Sequence, residues 1–560
     1  MIRIRITVIV LILVQLSIVS GFSQNKIDAA FSNDQDVSVM IDNYIQNLPQ
    51  YKSLNGVVLV SLSDSIIYNK AFGYADISHN IKNTSSTRFQ VGSVTKPFTA
   101  VLGLQLIEKR LLSLDDNVSK FFPDFPNGEK ITIHQLLTHT SGIPQHYTSI
   151  NNFFKSFDKE FVTRKEMIIK IGGLPRKLEP GQKFTYTSLG YYVLAAIIEK
   201  VSELSFSEAL EENIFKPAGM NNSFIENNKM IIENMSVGYE RGINSNLIKC
   251  NYENKSVFKG AGDLVTTAYD LYLFHQALDF ESGLLLEDET KQLLFKQYEQ
   301  NYGYGFMNLS FPLSSGDTIL LASHQGGSYG YSAIFDHILS HHASIIILTN
   351  TQTPEAFIYR EDIGDFLINC IDPNFPTKKL DFVNGPDVRL DKMLGFYQLD
   401  NGRKVSIIKL DNRYYYCIPG RELRTLMNQN DNTFDLSGFG GLKIIINYED
   451  VRFDILRYNS IVNSAVLNTP EKNPALKYSG KYISTELQKT YEISTEGKCL
   501  VISGFSEDKD VLFYPTKKEN EFLSEVYRIR FTYNEEINIV GFKLFTPWTD
   551  QMFGSVFEKL

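Results

Sequence analysis

The chain predicts an α+β domain followed by a β-rich one, and three observations carry that expectation. Near the N-terminal end two strand patterns, Gly56-Val-Val-Leu-Val-Ser61 and Ser65-Ile-Ile-Tyr-Asn-Lys-Ala-Phe-Gly73, flank Leu62-Ser-Asp64 as a hairpin would. Strand character then returns only far along, at Thr318-Ile-Leu-Leu-Ala322, Tyr331-Ser-Ala-Ile-Phe335 and Ala343-Ser-Ile-Ile-Ile-Leu-Thr349. The stretch between, roughly 98–300, alternates helical periodicity with polar loops, so one sheet is assembled from both ends of the domain. Beyond about residue 385 the pattern changes to short alternating strands, among them Lys404-Val-Ser-Ile-Ile-Lys409, Arg413-Tyr-Tyr-Tyr-Cys-Ile418 and Val526-Tyr-Arg-Ile-Arg-Phe-Thr532. That part reads as an antiparallel β-barrel or a pair of small sheets.

Taken in order, residues 1–23 have the makeup of a secretory signal peptide. Arg3 and Arg5 precede an apolar run, Ile6 to Val19, and Gly21-Phe22-Ser23 offers small residues before a cut at Gln24. No cysteine lies near that cut, and no later stretch is long and apolar enough to span a bilayer. The mature protein is therefore expected in the periplasm or outside the cell. Residues 25–50 show an amphipathic helical pattern through Val37, Met40, Ile41, Tyr44 and Ile45. A second helix is expected from Phe98 to about Arg110, with Pro97 in its first turn, where proline is tolerated. Asp372-Pro-Asn-Phe-Pro-Thr-Lys-Lys379 reads as the exit from the first domain. The expected division is a domain over 24–375, a linker over 376–386 and a β-rich domain over 387–560. Within the last, Leu394-Gly-Phe-Tyr397 and Tyr478-Ser-Gly-Lys-Tyr482 each open a similar strand-turn-strand run, a weak internal repeat.

Composition narrows the function. With 43% hydrophobic residues in 560, the chain can bury large cores. Its net charge of −9 and lack of a basic run argue against nucleic acid as the partner. The four cysteines, Cys250, Cys370, Cys417 and Cys499, show no metal-type spacing. They imply no disulfide framework in a chain this large, although export would permit one or two bonds.

Ser93-Val-Thr-Lys96 carries the chemistry. Three residues apart where a loop turns into a helix, its hydroxyl and amine share one face. Serine is a weak nucleophile, and a desolvated, neutral lysine beside it can serve as its base. The helix N-terminus adds N–H donors where an oxyanion would form. Ser-x-x-Lys also starts at Ser23, Ser156, Ser256, Ser406 and Ser506, but only the Ser93 copy opens a long apolar helix.

With Tyr186-Thr-Ser188 and His324-Gln-Gly326 in that order, the chain resembles the serine β-lactamase and penicillin-binding protein superfamily. The branch holding class C β-lactamases, D-stereospecific peptidases and related esterases is the most similar. Connecting phrases agree as well: Ile131-Thr-Ile-His-Gln-Leu-Leu-Thr-His-Thr-Ser-Gly-Ile-Pro144, Gly260-Ala-Gly-Asp-Leu-Val-Thr-Thr-Ala-Tyr-Asp270, Tyr302-Gly-Tyr-Gly-Phe306 and Ile347-Leu-Thr-Asn350. The resemblance covers about residues 35–370. It implies an antiparallel sheet with helices on both sides and a helical subdomain, and acyl transfer without metal or cofactor. Ser93 would be the nucleophile, and Lys96 and Tyr186 would share the general-base work. The N–H groups of Ser93 and Gly327 would form the oxyanion hole, with Ser188, His324 and Gly326 lining the substrate. The partner implied is a small molecule or a peptide, cell-wall-derived peptides included.

Two departures bear on the substrate. Ser188 stands where many relatives carry asparagine, and a hydroxyl holds an amide less completely. His324 stands where a lysine would supply a fixed charge for a carboxylate, and histidine is mostly neutral near pH 7. Both lean toward an ester or a D-amino-acid peptide over a β-lactam, without deciding among the three.

Rival readings are weaker. Tyr51, Tyr147, Tyr252 and Tyr458 also begin Tyr-x-Ser or Tyr-x-Asn patterns, Tyr147 being the second candidate, but Tyr186 follows Pro180-Gly-Gln-Lys-Phe-Thr185 on a loop and leads into an apolar helix. Gly326-Gly-Ser-Tyr-Gly330 matches a nucleophile elbow at Ser328, which requires a helix after the serine; the residues that follow read as a strand. His134 and His139 miss the spacing of a helical metal pair, and His341-His342 beside Asp336 and His337 reads as a polar turn. A non-catalytic receptor for cell-wall peptides is the alternative of a different class, and the joint presence of Ser93, Lys96 and Tyr186 argues against it.

Overall fold

The computed structural model describes residues 34–46, 54–144, most of 163–372, and the strands with their shorter connections between 387 and 559. The expected signal segment, the expected 376–386 linker and Tyr147 lie outside the described residues. Two compact units emerge, residues 1–240 with 249–377 and residues 241–248 with 378–560.

The first unit is built on a six-stranded antiparallel sheet. Its strands are β1 (Gly56–Leu62), β2 (Ser65–Phe72), β3 (Met307–Pro312), β4 (Thr318–Ser328), β5 (Tyr331–Ile338) and β6 (Ala343–Thr349). They lie in the order β3-β4-β5-β6-β1-β2. The hairpin from the start of the chain joins the strands from its end through the β1–β6 pair, in register Val58 with Ile347. Ser63 and Asp64 make the β1–β2 turn tight, both at positive φ (48° and 58°), the mirror-image turn whose twist matches that of the strands. β1, β5 and β6 are buried along their whole length because both faces of the sheet are covered.

Neighbouring residues of β5 show what covers each face. Phe335 meets Phe274 of helix α4 (Ala268–Leu278) on one side, ring centres 5.9 Å apart. Asp336, pointing the other way, pairs with Arg360 of α5 (Glu355–Ile371), and α1 (Asp34–Gln46) packs beside α5 through Tyr44, Tyr359 and Phe366. Beyond α4 lies the helical layer. There α2 (Thr95–Glu108) stacks Phe98 on Phe274 at 3.8 Å and packs against α3 (Ser188–Ser202). α2 is buried from Thr95 to Leu106, so its sequence is apolar all round. It starts three residues earlier than expected from apolar periodicity, because Thr95 and Lys96 are part of its first turn.

The second unit holds a nine-stranded antiparallel sheet over residues 395–467 and a closed eight-stranded barrel over 480–559. Closure leaves the barrel without an unpaired edge. Both assemblies begin alike. Tyr397 in β7 (Gly395–Leu399) donates its hydroxyl to Met393 O at 2.6 Å, and Tyr482 in β8 (Gly480–Ser484) donates to Tyr478 O at 2.8 Å, each four residues back. Each tyrosine then fills its own aromatic core, Tyr397 against Phe453 and Tyr482 against Phe531 and Phe542.

Candidate active site

Ser93 sits in a 3-10 turn, Gly92–Val94, between the short strand Phe89–Gln90 and α2. This turn touches the far end of β4, backbone against backbone. A methyl group on Gly326 would lie 1.8 Å from Val91 O, and one on Gly92, whose φ is +50°, would lie 2.4 Å from Gly327 O. No side chain fits at either position. At Gly327 a methyl group would meet nothing within 4 Å, so this residue faces open space beside Ser93.

Lys96 projects from the first turn of α2 into the core. Its Nζ donates to Ser93 Oγ at 2.9 Å and to Ala261 O at 2.9 Å. The side chain is fully buried, and burial lowers its pKa to about 7, against the opposing pull of Asp263. Asp263 is itself buried, and burial raises its carboxyl to about 7. One oxygen accepts from Gly260 N at 2.9 Å, and the other has no hydrogen-bond partner among the described residues. Both groups are thus driven toward their neutral forms.

An aromatic wall closes the other side. Lys96 Nζ lies 4.9 Å from the ring centre of Tyr186 and 5.9 Å from that of Tyr191. Tyr186 is half-buried, just ahead of α3; Thr187 caps that helix, its hydroxyl accepting from Gly190 N, and Ser188 is its first residue. His139 packs against Tyr186 at 4.4 Å between ring centres, and against Tyr302 at 4.6 Å. His324 is 6% exposed and shares its hydrogen bonds with the protein: Nδ1 donates to Gln325 O at 2.8 Å, so Nε2 accepts from the Tyr302 hydroxyl at 3.1 Å. Burial, then the charge of Lys96, holds this histidine down at about 3, so it is neutral at any physiological pH. Its ring lies 6.2 Å from that of Tyr186.

The structure therefore brings Ser93, Lys96, Tyr186, His324, Gly326 and Gly327 to one place, with Ser188 at the adjoining helix start. The connecting phrases supply three further members to which the sequence alone assigned no role. They are His139, Asp263 and Tyr302, each embedded in a quoted phrase but recognisable only once folding places His139 and Asp263 near Lys96 and Tyr302 against His324. Another buried pair flanks the site: Lys255 Nζ donates to Ser328 Oγ at 2.6 Å, and Ser328 donates to Gln90 Oε1 at 2.7 Å. Ser328 ends β4 and is followed by β5, so no nucleophile elbow forms.

The remaining histidines serve elsewhere. His134 Nδ1 meets the Tyr304 hydroxyl at 2.8 Å, and His337 packs on His275 under the sheet. At the end of the sheet away from Ser93, the turns holding Asp64 and His342 are pinned by Asp64 N donating to His342 O at 3.0 Å. There Asp64, Asp279 and His342 bring their oxygen and ring nitrogen atoms within 4.8 Å of one another, the one such group among the described residues that could hold a metal ion. His342 Nδ1 is already hydrogen-bonded to Asp279.

A serine joined to a buried lysine, at the edge of an antiparallel sheet covered by helices on both faces, is an arrangement that fits a serine hydrolase. The chain belongs to the β-lactamase family, whose model matches residues 41–366. It is similar to penicillin-binding protein 4* of Bacillus subtilis (strain 168), 28% identical over 71% of this chain and 91% of that one. Among solved structures, a penicillin-binding protein from Bacillus halodurans matches 58% of this chain and 98% of its own at 25% identity, TM-score 0.52. An octameric penicillin-binding protein homologue from Pyrococcus abyssi covers 76% of this chain and 99% of its own at 23% identity, TM-score 0.54, and shares the fold.

Proposed function

We propose that the chain is an exported serine hydrolase that forms an acyl-enzyme through Ser93. The observation that carries this reading is the 2.9 Å contact between Ser93 Oγ and the Nζ of a fully buried Lys96. With a pKa of about 7, about half of the lysine is neutral at neutral pH. A neutral amine accepts the Ser93 proton as Oγ attacks a carbonyl carbon. The tetrahedral oxyanion is received by the N–H groups of Ser93 and Gly327. Collapse expels the leaving group, which takes its proton from Lys96, with Tyr186 sharing the transfer. Water then enters, gives its proton to the same pair and releases the acid, returning Ser93 to its starting state.

The acceptable substrate follows from the charges. His324, neutral and bonded to Tyr302, offers no fixed cation for a carboxylate, and Ser188 offers a hydroxyl where an amide would grip a peptide. Esters and D-amino-acid peptides are the favoured substrates, with β-lactams poorer acylating agents. Export rests on the composition of residues 1–23. Among the described residues no helix is long and apolar enough to cross a membrane.

Labelling the purified protein with a fluorophosphonate, then mapping the modified peptide, tests the reading. Label on Ser93, lost in Ser93→Ala together with at least about 1000-fold of ester turnover, is the expected result. A native protein that takes no label would assign the fold to peptide binding without catalysis.

A further inference from the structure

We infer that His139 is the positioning residue for Tyr186, holding the tyrosine loop from both sides. The inference rests on the acyl-transfer reading above. The two backbone N–H groups that bracket Tyr186 both end on this one residue: Thr185 N donates to His139 O at 2.8 Å, and Thr187 N donates to His139 Nδ1 at 3.1 Å. The Tyr186 ring then rests on the imidazole, centres 4.4 Å apart. One residue thus sets the height, direction and backing of the phenol that faces Lys96.

Several features are hard to explain as mere core filling. His139 has a φ of +59°, a left-handed conformation that costs a residue with a Cβ and turns its carbonyl toward Thr185. Its ring is fully buried, and because Nδ1 accepts, the proton sits on Nε2. Among the described residues Nε2 has no hydrogen-bond partner, and the ring is enclosed by Phe184, Tyr186, Tyr191 and Tyr302. A purely structural core would be filled more stably by an apolar ring, which strands no N–H. Histidine combines an aromatic surface for Tyr186 with an in-plane acceptor for Thr187.

The arrangement requires a neutral ring. The groups facing it are Lys96 from α2, His324 from β4, and the phenols of Tyr186, Tyr191 and Tyr302. Burial, then Lys96 and His324, hold His139 well below the ordinary histidine range. Protonation at Nδ1 would remove the acceptor from Thr187 and release one side of the loop.

A double-mutant cycle on the full chain, read by the rate of fluorophosphonate labelling of Ser93 and by ester hydrolysis, separates positioning from general destabilisation. His139→Phe keeps an aromatic ring and deletes the acceptor. Displacing Tyr186 by an ångström should lower kcat about 100-fold, with KM changed less than about 3-fold. In the Tyr186→Phe background the same substitution should cost less than about 3-fold, since the phenol it serves is gone. His139→Asn, which restores a side-chain acceptor, should recover part of the loss, and it provides the same comparison if the phenylalanine variant does not fold. Equal losses in both backgrounds, or native labelling rates in His139→Phe, would overturn this inference while leaving Ser93 as nucleophile. A native protein that never labels would overturn both readings.

Discussion

At the scale of single residues, burial does the chemistry's preparatory work. An exposed lysine holds its proton to above pH 10 and is no base at pH 7. Lys96, dry between Ser93, Ala261 and two tyrosine rings, is brought to about 7. In the proposed mechanism the neutral amine is the working form, so kcat/KM should rise with pH through about 7 and fall about tenfold per unit below it. Asp263 opposes the shift, because its negative charge favours the ammonium. Asp263→Asn should therefore move the acidic limb to lower pH, most clearly near pH 7, where the native carboxyl is about half ionised. A limb that stays put or moves upward in the pH–rate profile would remove Asp263 from this role.

At the scale of elements, the site depends on a strand end and a helix start meeting without side chains. Gly326 and Gly327 are adjacent but face opposite constraints. Gly326→Ala drives a methyl group into Val91 O, 1.8 Å away, so β4 and the Ser93 turn must part. That variant should lose several degrees in Tm and about 100-fold in Ser93 labelling. Gly327→Ala adds its methyl group to open space, so Tm should stay native while KM for a bulky ester rises. Calorimetry beside steady-state kinetics distinguishes the two, and a thermal loss of equal size in both would contradict the contact geometry.

At the scale of the whole molecule, the catalytic sheet is closed by strands nearly 300 residues apart, Val58 beside Ile347. Such non-local pairing must wait for the helical layer between, which favours slow folding. The compact units part near 377 and 378, and we propose 24–375 as the catalytic domain, with 376–386 as linker and 387–560 as the β-rich domain. Limited proteolysis should cut first within 376–386 and leave a 24–375 fragment that still labels at Ser93. First cuts elsewhere would count against these boundaries; a folded fragment that no longer labels would make residues 387–560 part of the working enzyme.

Local order alone settled a good deal. Ser93-x-x-Lys96 at a helix start, the apolar run after it, the β1–β2 hairpin and the alternating strands past 385 all rest on neighbours in the chain, where periodicity and turn chemistry act directly. So did the rejection of Ser328 as an elbow, since a strand must follow it. Other features could not be read this way. That Lys96 is dry depends on Ala261, Tyr186 and Tyr191 closing around it, and that His324 bonds Tyr302 depends on two segments meeting at the end of β4. His139 and Asp263 stood in plain view as letters, yet their roles arise from distance and desolvation. Sequence spacing determines which groups share an element, while the loss of water that tunes a lysine is a property of everything packed around it.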